Sequence, residues 1–279
     1  MVRRDVAPQG GAGNFTGKTL GMQEFLSDGV RIAYLDFPAE REDRGAPILL
    51  VHGFASNHGV NWMFPQWVKT LTGAGRRTLV FDNRGHGRSG KPHEPQAYTP
   101  QAMAGDAARL LDHIGVARAD VMGYSMGARI AAHLALTQPE KVRGLILAGL
   151  GIHLVDDEGL PSGIADAMEA PSLDALTDPK QRMFRAFADS TRSDLRALAA
   201  CIRGSRRALS AQEVGRITAP TLICVGSEDD VAGDPLALAS LMPNARALVI
   251  PGRDHNRAVG DKVFKEGVLA FLESLQPAV

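Results

Sequence analysis

Asp120-Val121-Met122-Gly123-Tyr124-Ser125-Met126-Gly127-Ala128 is the stretch that decides the reading of this chain. A short apolar run ends at Gly123, and an alanine-rich helical pattern begins just past Gly127. That is a strand, a sharp turn and a helix, with Ser125 at the apex. The glycines have a steric reason. To lift its hydroxyl clear of a sheet, Ser125 must take a strained backbone conformation, which costs about 1–3 kcal/mol and persists only where the surroundings enforce it. The residues two before and two after it then pass close to each other and must be small. A glycine-flanked serine in an ordinary turn has the same five letters, so the rest of the chain has to decide.

Outward from this stretch, strands and helices alternate. Residues 22–37 alternate as a hairpin, with Ser27-Asp28-Gly29 as its turn. The apolar run 47–51 reads as a buried strand ending in His52-Gly53-Phe54, followed by a helix pattern over 62–72. The run 77–81 is the next strand and ends in Asp82-Asn83-Arg84-Gly85-His86-Gly87-Arg88-Ser89. Thr99 is placed to cap a helix with Pro100 at its first position, and that helix stops at Gly115. Pro139 ends the helix after Ser125, and 142–150 is another strand. Later come strands at 221–225 and 245–250, a helix near 235–241 and a last helix over 261–275. Such alternation predicts a mostly parallel sheet flanked by helices. It breaks between 151 and 217, which is arginine-rich and helical in pattern without a strand. That interruption predicts a small helical cap inserted after the sixth strand. The expected division is a mobile arm at 1–20, a core at 21–150 and 218–279, and a cap at 151–217.

Composition narrows the function. With 279 residues and 44% apolar content, the chain can bury a sizeable core. Lys plus Arg and Asp plus Glu are 31 each, so net charge favours neither nucleic acid nor an anionic membrane. Two distant cysteines, Cys201 and Cys224, make no disulfide framework and suit a cytoplasmic location. No stretch approaches the roughly 20 apolar residues of a membrane span. The first 18 residues lack the apolar core of a secretory signal.

A serine hydroxyl becomes a nucleophile only when a base takes its proton. Strand 221–225 runs into Gly226-Ser227-Glu228-Asp229-Asp230, and strand 245–250 into Pro251-Gly252-Arg253-Asp254-His255. Each puts its polar groups beyond a strand's C-terminal end, where open α/β sheets carry their sites. Serine, carboxylate and histidine therefore follow one another along the chain, each after a strand. The reading rests on this ordered trio rather than on any one residue. In that order and context the chain resembles the α/β-hydrolase superfamily over roughly residues 21–275.

The resemblance implies the α/β-hydrolase fold, with Ser125 as nucleophile, His255 as base and Asp229 as the orienting acid, Asp230 being its rival. It also implies an oxyanion hole made by the backbone N–H groups of Phe54, from the His-Gly-x loop, and of Met126. The Met126 position suits this independently, because the first N–H groups of a helix are free and favour negative charge. His52, Arg84 and His86 are read as structural. Other motifs fail. Gly85-His86-Gly87-Arg88-Ser89-Gly90 matches a dinucleotide fingerprint, but Pro92 and Pro95 forbid the helix it needs. No His/Cys cluster has zinc spacing, so neither cofactor nor metal is expected.

Serine at the elbow argues against the epoxide hydrolases and haloalkane dehalogenases of this superfamily, which carry aspartate there. The expected activity is hydrolysis of a small-to-medium carboxylic ester through an acyl-enzyme. C–C bond hydrolysis and perhydrolysis on the same fold stay open, as does a ligand-binding receptor on a hydrolase scaffold. Substrate identity and oligomeric state are not legible, because function resides in the pocket walls and not in the fold.

Overall fold

In the computed structural model, which describes residues 21–42, 45–156 and 163–275, the apolar runs assemble into one eight-stranded sheet. The expected arm at 1–20 lies outside the described residues. β1 (Gln23–Ser27) and β2 (Val30–Phe37) form the hairpin, and both Asp28 and Gly29 have positive φ, as a two-residue hairpin turn requires. The remaining strands are β3 (Ile48–Val51), β4 (Thr78–Phe81), β5 (Ala119–Tyr124), β6 (Val142–Ala148), β7 (Thr221–Gly226) and β8 (Ala245–Ile250). They lie in the order β1-β2-β4-β3-β5-β6-β7-β8. Only the β1–β2 and β2–β4 pairings are antiparallel.

Side chains alternate across this sheet, which gives it two apolar layers. Leu49, Val51, Val121, Leu147 and Ile223 face the layer containing α2 (Pro100–His113) and α3 (Met126–Thr137). Ile48, Leu50, Met122, Tyr124 and Cys224 face the layer containing α1 (Trp67–Gly73). Burial of both faces is why the central strands read as unbroken apolar runs. Thr99 caps α2 as expected, its side chain accepting from the Ala102 N–H at 3.2 Å.

Two boundaries differ from the sequence reading. The helix expected from residue 62 starts at Trp67, because Pro65 has no N–H to donate and Gln66 is left-handed. Residues 59–63 form a separate π-helical turn. The sixth strand ends at Ala148 rather than at 150, because Gly149 turns away with φ +60°.

Between β6 and β7 the described residues form helices and turns: α4 (His153–Asp156), α5 (Ile164–Glu169), α6 (Pro179–Ser190), α7 (Leu195–Ser205) and α8 (Ala211–Gly215). Asp178, Asp194 and Ser210 cap the last three through their side chains. α7 is pressed so closely on the turn at Pro95–Tyr98 that a Cβ on Gly204 would lie 2.0 Å from the Pro95 carbonyl oxygen. α9 (Pro235–Ser240) and α10 (Lys262–Ser274) complete the flanking helices, with α10 in the same layer as α1. Among the described residues no helix is long and apolar enough to cross a membrane.

Candidate active site

The turn after β5 shows why its glycines are needed. A Cβ on Gly123 would sit 2.1 Å from the Gly127 carbonyl oxygen, and one on Gly127 would sit 2.0 Å from that of Val51. Ser125 between them has φ 55° and ψ −116°, a conformation L-residues rarely adopt. The surroundings enforce it. The Ser125 N–H donates to the Ala148 carbonyl at 2.7 Å, and the Ser125 carbonyl accepts from Ala128 and Arg129. Ser125 stays half-buried between the buried Tyr124 and Met126.

The loops after β7 and β8 are laced together beside it. Ser227 N–H donates to the Ile250 carbonyl, Glu228 N–H to that of Arg253, and Gly252 N–H to Ser227 Oγ. A Cβ on Gly226 would lie 2.0 Å from the Arg253 carbonyl oxygen, so the two loops touch at that point. The Asp229 carboxylate has no exposed side-chain surface. Its Oδ1 accepts from the Val231 and Ala232 N–H groups at 2.9 and 3.0 Å, and its Oδ2 lies 2.8 Å from His255 Nδ1. With Nδ1–H donating to Asp229, the lone pair of His255 is left on Nε2. Asp230 turns the other way and pairs with Lys180 of α6 at 2.9 Å. That pairing, ahead of the opposing effect of partial burial, holds the Asp230 carboxyl below its ordinary range.

The loop after β3 lies against the elbow. A Cβ on Gly53 would meet the Tyr124 carbonyl oxygen at 3.2 Å and Ser125 Cβ at 3.5 Å. Gly53 N–H donates to Asn61 Oδ1 at 3.0 Å, which fixes the His52–Gly53 peptide just ahead of Phe54. Phe54 and Met126 are both buried, and among the described residues neither backbone N–H meets an acceptor. His52 lies beneath, with Nε2 accepting from the Asn83 N–H at 3.0 Å and Nδ1 2.8 Å from the Gly53 carbonyl.

Residues 82–89 form a brace. Asp82 accepts from the His58 ring and backbone and from the Arg88 N–H. Burial opposes its ionisation, but the His58 hydrogen bond and the nearby imidazoles outweigh that and bring it to about 2. Arg84 makes a two-point pair with Asp106, both contacts 2.7 Å. Burial pushes His86 down to about 3, and it packs 6.0 Å from the Phe54 ring. From the helical side, Phe184 of α6 lies 6.3 Å from Phe54, Thr191 Oγ1 is 2.9 Å from the Ala55 carbonyl oxygen, and Cys201 Sγ is 3.7 Å from Met126 Sδ. Among the described residues no group of three or more His, Cys, Asp or Glu is arranged to hold a metal ion.

A family model described as alpha/beta hydrolase fold matches residues 46–178, the segment carrying the β3 loop and the elbow. The chain has the alpha/beta hydrolase fold. Epoxide hydrolase B of Mycobacterium tuberculosis is 32% identical over 130 residues, 44% of this chain but only 35% of that protein. The putative non-heme bromoperoxidase BpoC of the same species is 29% identical over 237 residues, 76% of this chain and 87% of that protein. The solved structure of Est816, an N-acyl homoserine lactone degrading enzyme, superposes with a TM-score of 0.71 at 26% identity. That superposition covers 89% of this chain and all of Est816.

The five sequence-derived residues lie just past the C-terminal ends of β3, β5, β7 and β8, where His255 and Asp229 are in contact and, among the described residues, no hydrogen bond joins Ser125 to His255. Sequence reasoning missed Asn61 and Tyr124. Asn61 sits eight residues from the glycine whose N–H it holds, and Tyr124 donates its phenol to a carbonyl 131 residues away. No local pattern signals either contact.

Proposed function

We propose that this protein is a serine hydrolase that cleaves a small-to-medium carboxylic ester through an acyl-enzyme. The observation that carries the reading is the 2.8 Å contact between His255 Nδ1 and the anchored Asp229 carboxylate, beside a serine held in strained backbone. In this reading His255 Nε2 takes the Ser125 proton as Oγ attacks the acyl carbon. Asp229 keeps the imidazole in the required tautomer and stabilises the imidazolium as it forms. The Phe54 and Met126 N–H groups receive the oxyanion. His255 then returns the proton to the leaving alcohol. It next activates a water that attacks the acyl carbon, releasing the acid and restoring Ser125.

Similarity to Est816 over its whole length supports acyl–oxygen cleavage, since a lactone is a cyclic ester. Opening an epoxide by the superfamily's other route would need a carboxylate at position 125, where a serine stands. In the same reading residues 151–217 form a roof over the site and choose the acyl group. The two cysteines are free and buried, which suits a cytoplasmic protein.

The test is turnover of p-nitrophenyl esters of graded acyl length, with rapid mixing to record a burst of nitrophenol matching the enzyme concentration. A burst followed by slower steady turnover is expected wherever deacylation limits the rate. Absence of turnover on every ester and lactone tried, by protein of verified fold, would overturn the ester reading.

A further inference from the structure

We propose that Tyr124 is a positioning residue for the general base: its phenol clamps the His255 loop to the nucleophile turn and holds the imidazole in register with Ser125. The proposal rests on the reading of Ser125 and His255 as nucleophile and base. It adds a component that no part of that reading contains.

Tyr124 immediately precedes the serine and is 5% exposed. The same alternation that lifts Ser125 above the sheet sends Tyr124 into the layer shared by α1 and α10. There its O–H donates to the His255 backbone carbonyl at 2.5 Å, and the two rings lie 5.5 Å apart. Phe264 of α10 backs the tyrosine ring at 6.5 Å. Space for the clamp is cut out of the strand between them in the sheet. Gly149 follows β6 with φ +60°, and a Cβ there would press on the Tyr124 ring at 2.9 Å and on His255 Cε1 at 3.2 Å. Burial, with the nearby Asp229 charge adding to it, raises the Tyr124 phenol well above its ordinary range, so it remains a donor.

The clamp has a mechanical consequence. Asp229 holds His255 from the β7 side through Nδ1, a bond about which the ring can still swing. The main chain of the histidine lies on a loop whose residues 251–254 are half-buried or exposed. The Tyr124 hydrogen bond fixes that main chain against the residue next to the nucleophile. Nucleophile and base are thereby tied through two adjacent residues of one turn rather than through the long path across β6 and β7. A small misplacement of a base suffices to slow proton transfer strongly.

The test compares Tyr124→Phe, which keeps the ring and loses the donor, with Tyr124→Leu, which loses both. Ser125→Ala and His255→Ala are assayed alongside. A buried hydrogen bond of ordinary strength predicts that Tyr124→Phe lowers kcat by roughly 3–10-fold with KM within about twofold. Proton NMR supplies a readout that packing alone would not move. The downfield signal of His255 Nδ1–H should broaden in Tyr124→Phe at a pH and temperature where the parent shows it sharply. Wild-type kcat and an unchanged signal in Tyr124→Phe, with Ser125→Ala and His255→Ala inactive, would overturn the proposal and leave the triad reading intact. A lowered melting temperature with unchanged kcat would reduce Tyr124 to a packing residue and overturn it equally. Turnover surviving in Ser125→Ala and His255→Ala would sink the triad reading and the clamp with it.

Discussion

The strand-end loops and the helical segments between β6 and β7 meet at Phe54, Ala55 and Met126, yet they are built in different ways. Around the elbow, position is set by main chain: Gly123 against Gly127, Gly127 against Val51, and Gly226 against Arg253 leave no room for even a Cβ. Across the gap, α6 reaches the same site through side chains. Lys180 pairs with Asp230, and the Phe184 ring packs against the Phe54 ring at a tilt. Both partners of the ion pair are substantially exposed, and such pairs contribute about 0–1 kcal/mol. The difference teaches which part can vary. In the proposed reading, a backbone-built floor fixes the reacting atoms, and a side-chain-built roof can be rebuilt for a new acyl group without disturbing them.

The largest expected effect separates two neighbouring aspartates on the loop after β7, one anchored within the floor and one paired with α6. Asp229→Asn should lower kcat by several orders of magnitude, comparable to the ~10⁴ loss seen for the orienting acid in the serine-protease template. Asp230→Asn loses only its Lys180 contact and should stay within about tenfold of the parent. Steady-state kinetics on one ester decide this, and the reverse ranking would put the site on the wrong carboxylate.

The next effect tests how the floor is held. Burial lowers His52, brings His86 to about 3, and brings His133 on α3 to about 4. An unfolded histidine takes up its proton near ~6.5. Between those values the unfolded chain binds more protons, so stability falls as pH drops below about 6.5 and keeps falling towards 3–4. Each fully neutral histidine steepens the fall by about 1.4 kcal/mol per pH unit. Urea unfolding between pH 7 and 4.5 measures the slope. His133→Gln should reduce it by close to one proton, and an unchanged slope would mean that His133 is not buried neutral.

The smallest effect belongs to the roof. Phe184→Ala should change the ratio of kcat/KM between long and short acyl esters by roughly tenfold, in line with the 1–3 kcal/mol available from lost apolar contact. Burst amplitude should be unaffected. An unchanged chain-length preference would make α6 a structural connection rather than a roof.

Much of the floor was legible in the sequence because its constraints are short-range. Gly123, Ser125 and Gly127 lie within five residues, and the collision of a Gly123 Cβ with the Gly127 carbonyl follows from local chain geometry, although that of Gly127 with Val51 does not. Thr99-Pro100 announced its helix for the same reason. The choice between Asp229 and Asp230 was not legible in the residues. It depends on the Val231 and Ala232 N–H groups catching one carboxylate and on Lys180, fifty residues upstream, drawing off the other. The helix start at Trp67 is not legible because the apolar pattern of 62–72 carries straight through Gln66, whose left-handed backbone leaves no mark in hydropathy. The Tyr124 clamp and the Phe54–Phe184 ring contact join segments more than a hundred residues apart, and only the folded chain brings them together.

Covalent labelling of Ser125 tests the central claim most directly. The folded protein is treated with a fluorophosphonate, digested, and mapped by mass spectrometry, with Ser125→Ala treated in parallel. The account predicts one adduct per chain on Ser125, prevented in advance by an ester substrate and absent from Ser125→Ala. An adduct on another residue, or equal labelling of Ser125→Ala, would contradict it.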